Sequence, residues 1–308
     1  MTYLVTGGAG FIGSYVVRQL LEEGDRVIAF DRQFGDTFER VLRDLAGDVE
    51  RVVGDVTDHA HLLRVCQAGE ISRIIHLAGE LHARSAENPY ACIQSNVIGT
   101  HHVLETGRLL SLERVVTASS AAIFGNPRNH PPGPIANDAH LHAADVYEAS
   151  KIFGETEGRF YAERFGVDNV ALRVGLAYGY GCRIGWAARL VHELVERPLR
   201  GEPGRVPWRD SMINWTYAPD AADAFVRASR VMSTGTFAYN LRGDPRSMMD
   251  TVEVARSLIP DADIDAETGE HDWAQDFDDS LLRTETGYEA RWTIKDGLAD
   301  IIRLLRAE

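Results

Sequence analysis

Leu4 and Val5 close a short apolar run that breaks at once into glycines, and beyond them Val16, Val17, Leu20 and Leu21 recur at helical spacing. That order predicts a strand, a turn and an amphipathic helix. The alternation continues through the first half of the chain. Val27–Phe30, Arg51–Val53, Ile74–Leu77, Val115–Ala118 and Val170–Val174 are short β-rich runs. The segments near 14–23, 58–69, 89–110 and 147–165 carry a helical period between them. Strands alternating with helices predict a doubly wound, parallel α/β sheet with helices on both faces.

The stretch 126–142, rich in Pro, Asn, His and Gly, breaks this rhythm and reads as a loop over the C-terminal edge of the sheet. Beyond about residue 176, Gly179, Gly181, Pro198, Pro203, Gly204 and Pro207 punctuate a less regular pattern, which suits a smaller α/β lobe. Residues 1–175, with about 213–243, are assigned to the nucleotide-binding domain; 176–212 and 244–308 are assigned to a substrate-binding lobe. Ile294–Leu305 reads as a closing amphipathic helix.

Composition narrows the setting. A chain of 308 residues, 44% hydrophobic and 25% charged, can bury a substantial core. Its net charge of −14 argues against a nucleic-acid or anionic-membrane surface. Cys66, Cys92 and Cys182 are odd in number and lack metal-ligand spacing, so reduced thiols are expected. No apolar run reaches the roughly 18 residues that a membrane helix needs, and the first strand starts almost at Met1. A soluble cytoplasmic protein is the expectation.

Thr6-Gly7-Gly8-Ala9-Gly10-Phe11-Ile12-Gly13 joins the first strand to the first helix. Gly7 permits the tight turn, Gly10 a close approach of backbone to a pyrophosphate, and Gly13 close helix–strand packing. The helix N-terminus then receives the anion. Asp31 follows the second strand, where a carboxylate accepts hydrogen bonds from the adenosine ribose and repels a 2′-phosphate. NAD is expected over NADP, although Arg32 could hold that phosphate. Asp55-Val56 ends the third strand, where an acceptor could meet the adenine amine; by itself Asp55 reads as a helix N-cap.

Tyr147 and Lys151 are four apart and share a helix face. A tyrosine with a pKa near ~10 is a poor base, and an ammonium one turn away stabilises its phenolate. Ser119 and Ser120 end an apolar strand at the ligand edge of the sheet, although serines there are often turn formers.

Together these residues resemble the extended short-chain dehydrogenases/reductases, the NAD-dependent epimerase/dehydratase family. Further motifs carrying the resemblance are His76-Leu77-Ala78-Gly79, Asn96-Val97-Ile98-Gly99-Thr100, Leu172-Arg173 with Tyr178-Gly179, and Thr286-Gly287-Tyr288-Glu289-Ala290. It covers nearly the whole chain and implies a Rossmann domain with the active site between it and the lobe. It implies Tyr147 as acid/base, Lys151 on the nicotinamide ribose, Ser120 orienting the substrate oxygen and Asn96 supporting the cofactor side. Gly7, Gly10, Phe11, Ile12, Gly13, Asp31, Arg32, Asp55, Val56, Leu77, Ala78 and Gly79 are the expected cofactor contacts. A homodimer paired through the helices near 89–110 and 147–165 is also implied.

Where family dehydratases carry an Asp-Glu pair, this chain has Ala121 and Ala122, so dehydration is not expected. Leu176 stands for the family's diphosphate-binding asparagine and Ile213 for an arginine; a second arginine upstream of Asp278 is missing. Charge-assisted contacts contribute about 1.5–3 kcal/mol each, so diphosphate binding is weakened unless Arg183, Arg205 or Arg209 compensates. His82, Arg84, Ser120, Ala121, Tyr178 and Arg183 are the candidate substrate contacts, and no metal site is expected among the histidines. Trp186, Trp208 and Trp215 read first as core, although each could stack on a substrate ring. Two reactions remain open on a small carbohydrate-like substrate. One is NAD-dependent sugar epimerisation; the other is net oxidation or reduction of a non-nucleotide polyol, sugar acid or ketone. A catalytically inactive dinucleotide sensor is the third reading, against which Ser120, Tyr147 and Lys151 argue.

Overall fold

A computed structural model describes residues 1–45, 49–273 and 276–308. Twelve strands are named in chain order. The first six are β1 (Thr2–Thr6), β2 (Arg26–Asp31), β3 (Glu50–Val53), β4 (Arg73–His76), β5 (Arg114–Ser120) and β6 (Asn169–Val174). The others are β7 (Leu176–Tyr178), β8 (Gly204–Val206), β9 (Met212–Tyr217), β10 (Ala238–Asn240), β11 (Asp244–Ser247) and β12 (Ile264–Ala266).

Seven of them form a parallel sheet in the order β10-β6-β5-β4-β1-β2-β3. Strand order reverses direction between β1 and β4, and the crevice beyond their carboxyl ends is where a ligand fits in such sheets. One face is covered by helices Phe11–Glu22 and Ala218–Arg230, which pack Val16, Val17, Leu20, Ala221 and Phe225 onto the strands. The other carries Leu62, Cys66, Val103, Leu104 and Tyr161 from helices His59–Ala68, Gly99–Leu110 and Val146–Phe165. The apolar strand runs are buried on both sides, as a parallel sheet requires.

The expected helix near 89–110 is broken into three parts. Pro89–Cys92 is a first turn, Ile93–Ile98 is wound as a π-helix, and only Gly99–Leu110 is regular. Asn96 lies in the widened turn, a kind of local distortion that recurs at functional sites. Within the expected loop at 126–142, Pro127–Asn129 forms a 3₁₀ turn and Ile135 bridges to Phe277.

The lobe holds β11-β9-β7 and the pair β12-β8. Packing crosses the boundaries expected from sequence at two places. Ile213, Trp215 and Tyr217 of β9 pack in the lobe core. Leu282 and Tyr288 instead return to the core of the large sheet. Aromatic side chains on β9 match the second core, a fact that spacing alone does not carry.

Candidate active site

The glycine turn is built for close approach. Gly7 has φ +67°, and a Cβ there would stand 2.5 Å from the Ala78 nitrogen. A Cβ on Gly13 would run into the Gly7 carbonyl. Gly10 N–H donates to Gly7 O at 2.9 Å, which closes the turn. The helix that starts at Phe11 has no side-chain cap, so its first-turn N–H groups are left for an anion. This cradle fits a dinucleotide pyrophosphate.

Asp31, at the end of β2, accepts from Ala9 N–H at 3.0 Å and Arg32 N–H at 2.7 Å. Burial raises its pKa, and these backbone donors oppose that. The Arg32 guanidinium is turned to Glu80 at 2.9 Å, and Arg84 meets the other oxygen of the same carboxylate at 3.3 Å. Glu80 is buried. Its N–H donates to Asn96 Oδ1 at 2.7 Å and its carbonyl accepts from Asn96 Nδ2 at 3.1 Å. Both arginines, expected at the cofactor and the substrate, converge on this one carboxylate.

Asp55 is not a helix cap. It accepts from the N–H and hydroxyl of Thr57, both at 2.9 Å, while Asp58 caps the helix through His61 N–H. Val56 is buried against Gly99. Leu77 N–H extends the β4 ladder to Thr6 O, and Gly79 faces Asn96 and Lys151 so closely that a Cβ would lie 2.8 Å from Asn96 Oδ1.

Tyr147 and Lys151 lie on helix Val146–Phe165, which is capped by Asp145. Lys151 Nζ donates to Ala118 O at 2.9 Å and stands 5.7 Å from the centre of the Tyr147 ring. Burial pushes the lysine down to about 8. Burial raises the Tyr147 phenol, and its hydrogen bond with Ser120 opposes the rise. Ser120 Oγ also accepts from Ala122 N–H at 3.2 Å. Ser119, its neighbour, is committed to Glu155 at 2.6 Å, and Glu155 is paired with buried Arg173. Strand alternation thus turns one serine to the tyrosine and the other away.

His76 lies beneath the site, its ring nitrogens at 2.7 Å from Thr6 Oγ1 and 3.1 Å from Thr100 Oγ1, and Thr100 donates to Asn96 O at 2.7 Å. Burial pushes His76 down to about 3, so it is neutral.

The substrate candidates divide. His82 reaches the site: its Nε2 is 2.6 Å from Asp145 Oδ2 and its ring stands edge-on to Tyr147 at 5.8 Å. His82, Asp145 and Glu148 bring donor atoms within 4.8 Å of one another. Sequence spacing hides this grouping. Asp145 and Glu148 already accept the backbone N–H groups of Glu148 and Ala144. Ala121 is buried beside Ser120.

Tyr178 is not a substrate contact. It is fully buried against Trp215 and Tyr217, because β7 pairs with β9 in a register that turns it into the lobe core. Arg183 is exposed and 3.9 Å from Glu196. Arg205 pairs with Asp265 at 3.2 Å. Ile213 is buried in the lobe core and Leu176 packs on that core, so neither position offers a polar group.

Glu80, Asp145 and Trp273 are site residues that the sequence reading passes over. Glu80 directly follows the Gly79 strand end, and an acid next to that glycine was the available signal. Asp145 sits two residues before Tyr147, and an Asp at the start of that helix was its signal as an N-cap; Trp273 reaches the site through tertiary packing and leaves no periodic trace.

Residues 3–241 match the family model described as "NAD dependent epimerase/dehydratase family". A UDP-glucose 4-epimerase of Mycolicibacterium smegmatis is 31% identical over 232 residues, covering 74% of this chain and 73% of that protein. The Thermus thermophilus UDP-glucose 4-epimerase in complex with NAD superposes with a TM-score of 0.84, 24% identity and 99% coverage of both chains. The L-threonine dehydrogenase of Cupriavidus necator superposes with a TM-score of 0.85, 25% identity and coverage of 99% and 100%. Among the described residues no helix is long and apolar enough to cross a membrane.

Proposed function

The chain belongs to the NAD dependent epimerase/dehydratase family, and from that premise we propose that it moves a hydride between NAD and a secondary alcohol carbon of a carbohydrate-like substrate, with epimerisation as the net reaction. The observation that carries this reading is Tyr147 set against Ser120 and flanked by half-buried Lys151, whose Nζ stands 5.7 Å from the centre of the tyrosine ring. NAD fits the same cleft through the Gly7–Gly13 turn and Asp31, and the engagement of Arg32 by Glu80 disfavours the 2′-phosphate of NADP.

Bound NAD supplies the hydride acceptor and a positive charge beside the tyrosine. Tyr147 takes the substrate hydroxyl proton on its phenolic oxygen, and Ser120 Oγ orients the substrate oxygen. Lys151 holds the nicotinamide ribose, and its ammonium lowers the cost of the phenolate. Asn96 fixes the Gly79–Glu80 backbone against the cofactor side. Returning the proton from Tyr147 as the hydride reaches the opposite face completes an epimerisation. Ala121 and Ala122 leave no acid pair to expel water, so the reaction is not a dehydration.

A second reading, net dehydrogenation or reduction of a non-nucleotide substrate, is favoured by the apolar Ile213 and Leu176. The experiment that separates them is to denature the purified protein and measure released nicotinamide and its redox state. Near-stoichiometric, slowly exchanging NAD supports epimerisation, which regenerates its cofactor each cycle. Empty protein that binds NAD reversibly and yields NADH on turnover supports the second reading.

A homodimer completes the proposal. Tyr90, Ile93, Phe153 and Phe160 are exposed on the two helical segments expected at the interface, and a second copy covering them would bury that apolar surface.

A further inference from the structure

A row of rings leads away from Tyr147 toward the lobe. His82 stands edge-on to Tyr147 at 5.8 Å, and Trp273 edge-on to His82 at 6.0 Å. Trp208 follows at 5.7 Å from Trp273, and Trp186 at 4.4 Å from Trp208. His271 fills the angle between Trp208 and Trp273, 5.4 and 5.6 Å away. The five rings beyond the tyrosine come from four separate stretches of chain, and all are partly open to solvent. Trp215, by contrast, is buried in the lobe core with its indole N–H on Thr251. Leaving so many large rings half-exposed forgoes the stabilisation that burial would give.

Trp208 adds a second, independent observation. Its φ is +62°, the left-handed region in which a bulky residue is strained. The turn is locked from both sides: Ser211 N–H donates to Trp208 O at 2.9 Å, and Arg209 N–H to Glu267 O at 2.9 Å. Glycine would take this turn without strain. The position instead holds an indole that completes the row.

Arg209 aside, the positions from which a diphosphate would be held offer no free cation among the described residues. Ile213 and Leu176 are apolar, and Arg183 and Arg205 face Glu196 and Asp265. Of the three arginines that could compensate, Arg209 alone has no ion-pair partner among the described residues. Ring faces carry negative quadrupole potential, which disfavours an anion and suits C–H groups or another ring. Arg189 stacks 5.1 Å over Trp186 at the opposite end from Tyr147.

We infer that this row is the subsite for the non-reacting end of the substrate, and that it takes a neutral ring. The partner is the C–H face of a second sugar or an aryl aglycone, not a nucleoside diphosphate. The inference rests on the hydride-transfer reading above, because the row begins at the Tyr147 ring.

The test uses NAD-supplemented protein labelled with 5-fluorotryptophan and followed by ¹⁹F NMR, with resonances assigned from single Trp→Phe variants. The probes are phenyl β-glucoside and phenyl β-galactoside for an aryl ring, cellobiose and lactose for a second sugar, and UMP and UDP-glucose for a nucleotide. Saturable shifts of Trp208 and Trp273 with a neutral probe, at affinity at least about tenfold above UMP, are expected. Which neutral pair binds distinguishes the aryl from the sugar source. Trp208→Gly removes the ring, and relief of the strained φ offsets only part of the lost packing, so its thermal midpoint should fall while affinity falls about tenfold or more. Trp273→Leu gives the same loss by another route should Trp208→Gly misfold.

Tighter binding of UDP-glucose through the same tryptophans overturns the inference. So does an absence of shifts with every neutral probe, or unchanged affinity in a folded Trp208→Gly. Ring binding that survives in a protein that neither epimerises a bound sugar nor reduces NAD with it upholds the subsite and overturns the hydride-transfer reading alone.

Discussion

Arg32 places its guanidinium 2.9 Å from a carboxylate oxygen of Glu80, a buried acid that also meets Arg84 and whose backbone is clasped by Asn96. The cation beside the expected ribose site is thereby tied to the neighbouring strand end. Glu80 thus links two properties: which cofactor fits at Asp31, and how rigidly the Gly79 backbone is presented beside Lys151.

Glu80→Gln should loosen this choice. The backbone bonds to Asn96 remain, while Arg32 loses its ionic partner and becomes free to meet a 2′-phosphate. The NAD-over-NADP preference should fall by about tenfold, or ~1.4 kcal/mol. Titration of both cofactors into wild type and variant measures it. An unchanged ratio would show that Arg32 does not reach the ribose even when released.

Tyr147→Phe should lower kcat by about 10²–10⁴ and leave NAD affinity near wild type, since the phenolic oxygen is the only atom removed. Lys151→Met should lower both kcat and NAD affinity. Steady-state kinetics beside a binding isotherm separate the two effects. Full activity in Tyr147→Phe would remove the proposed acid/base.

His76 predicts an acid-sensitive fold. Its pKa is pushed to about 3 in the folded protein from an ordinary value of 6.5. Between these values the unfolded chain binds a proton that the folded chain does not. Stability from this group is therefore full above about 6.5 and is lost as pH falls toward 3, with a limiting slope of about 1.4 kcal/mol per pH unit. Urea denaturation of wild type and His76→Gln at pH 7, 5.5 and 4.5 should show the variant losing less stability on acidification. Parallel curves would refute it.

Gly13→Ala drives a methyl group into the Gly7 carbonyl. The backbone on both sides is fixed, so overpacking should cost about 1–3 kcal/mol, read from denaturant midpoints. NAD binding should weaken with it, because the same turn forms the pyrophosphate cradle.

Much of the nucleotide half was legible in the chain. Strand β1, the Gly7–Gly13 turn and helix Phe11–Glu22 are local features, written in contiguous hydrophobic period and in glycines that backbone geometry demands. The Tyr147–Lys151 spacing likewise fixes a shared helix face. The lobe was harder to read. Tyr178 follows a familiar motif, yet its direction depends on pairing with β9, which lies far along the chain. The packing of Ile213 and Trp215 was hidden for the same reason, since the partners that bury them are contributed by non-adjacent segments.

The amino-acid order by itself determined the alternating sheet, the anion-binding turn, Asp31 and the Tyr147–Lys151 face, because each depends on residues within a few positions of one another. Only the tertiary structure decided that Arg32 and Arg84 share Glu80, that His82 joins Asp145 beside Tyr147, and that Trp186, Trp208 and Trp273 converge in one row. Apart from the Glu80–Arg84 pair and the Asp145–Tyr147 neighbourhood, those relationships join side chains distant in sequence. They are set by strand order, register and packing, which no local pattern encodes.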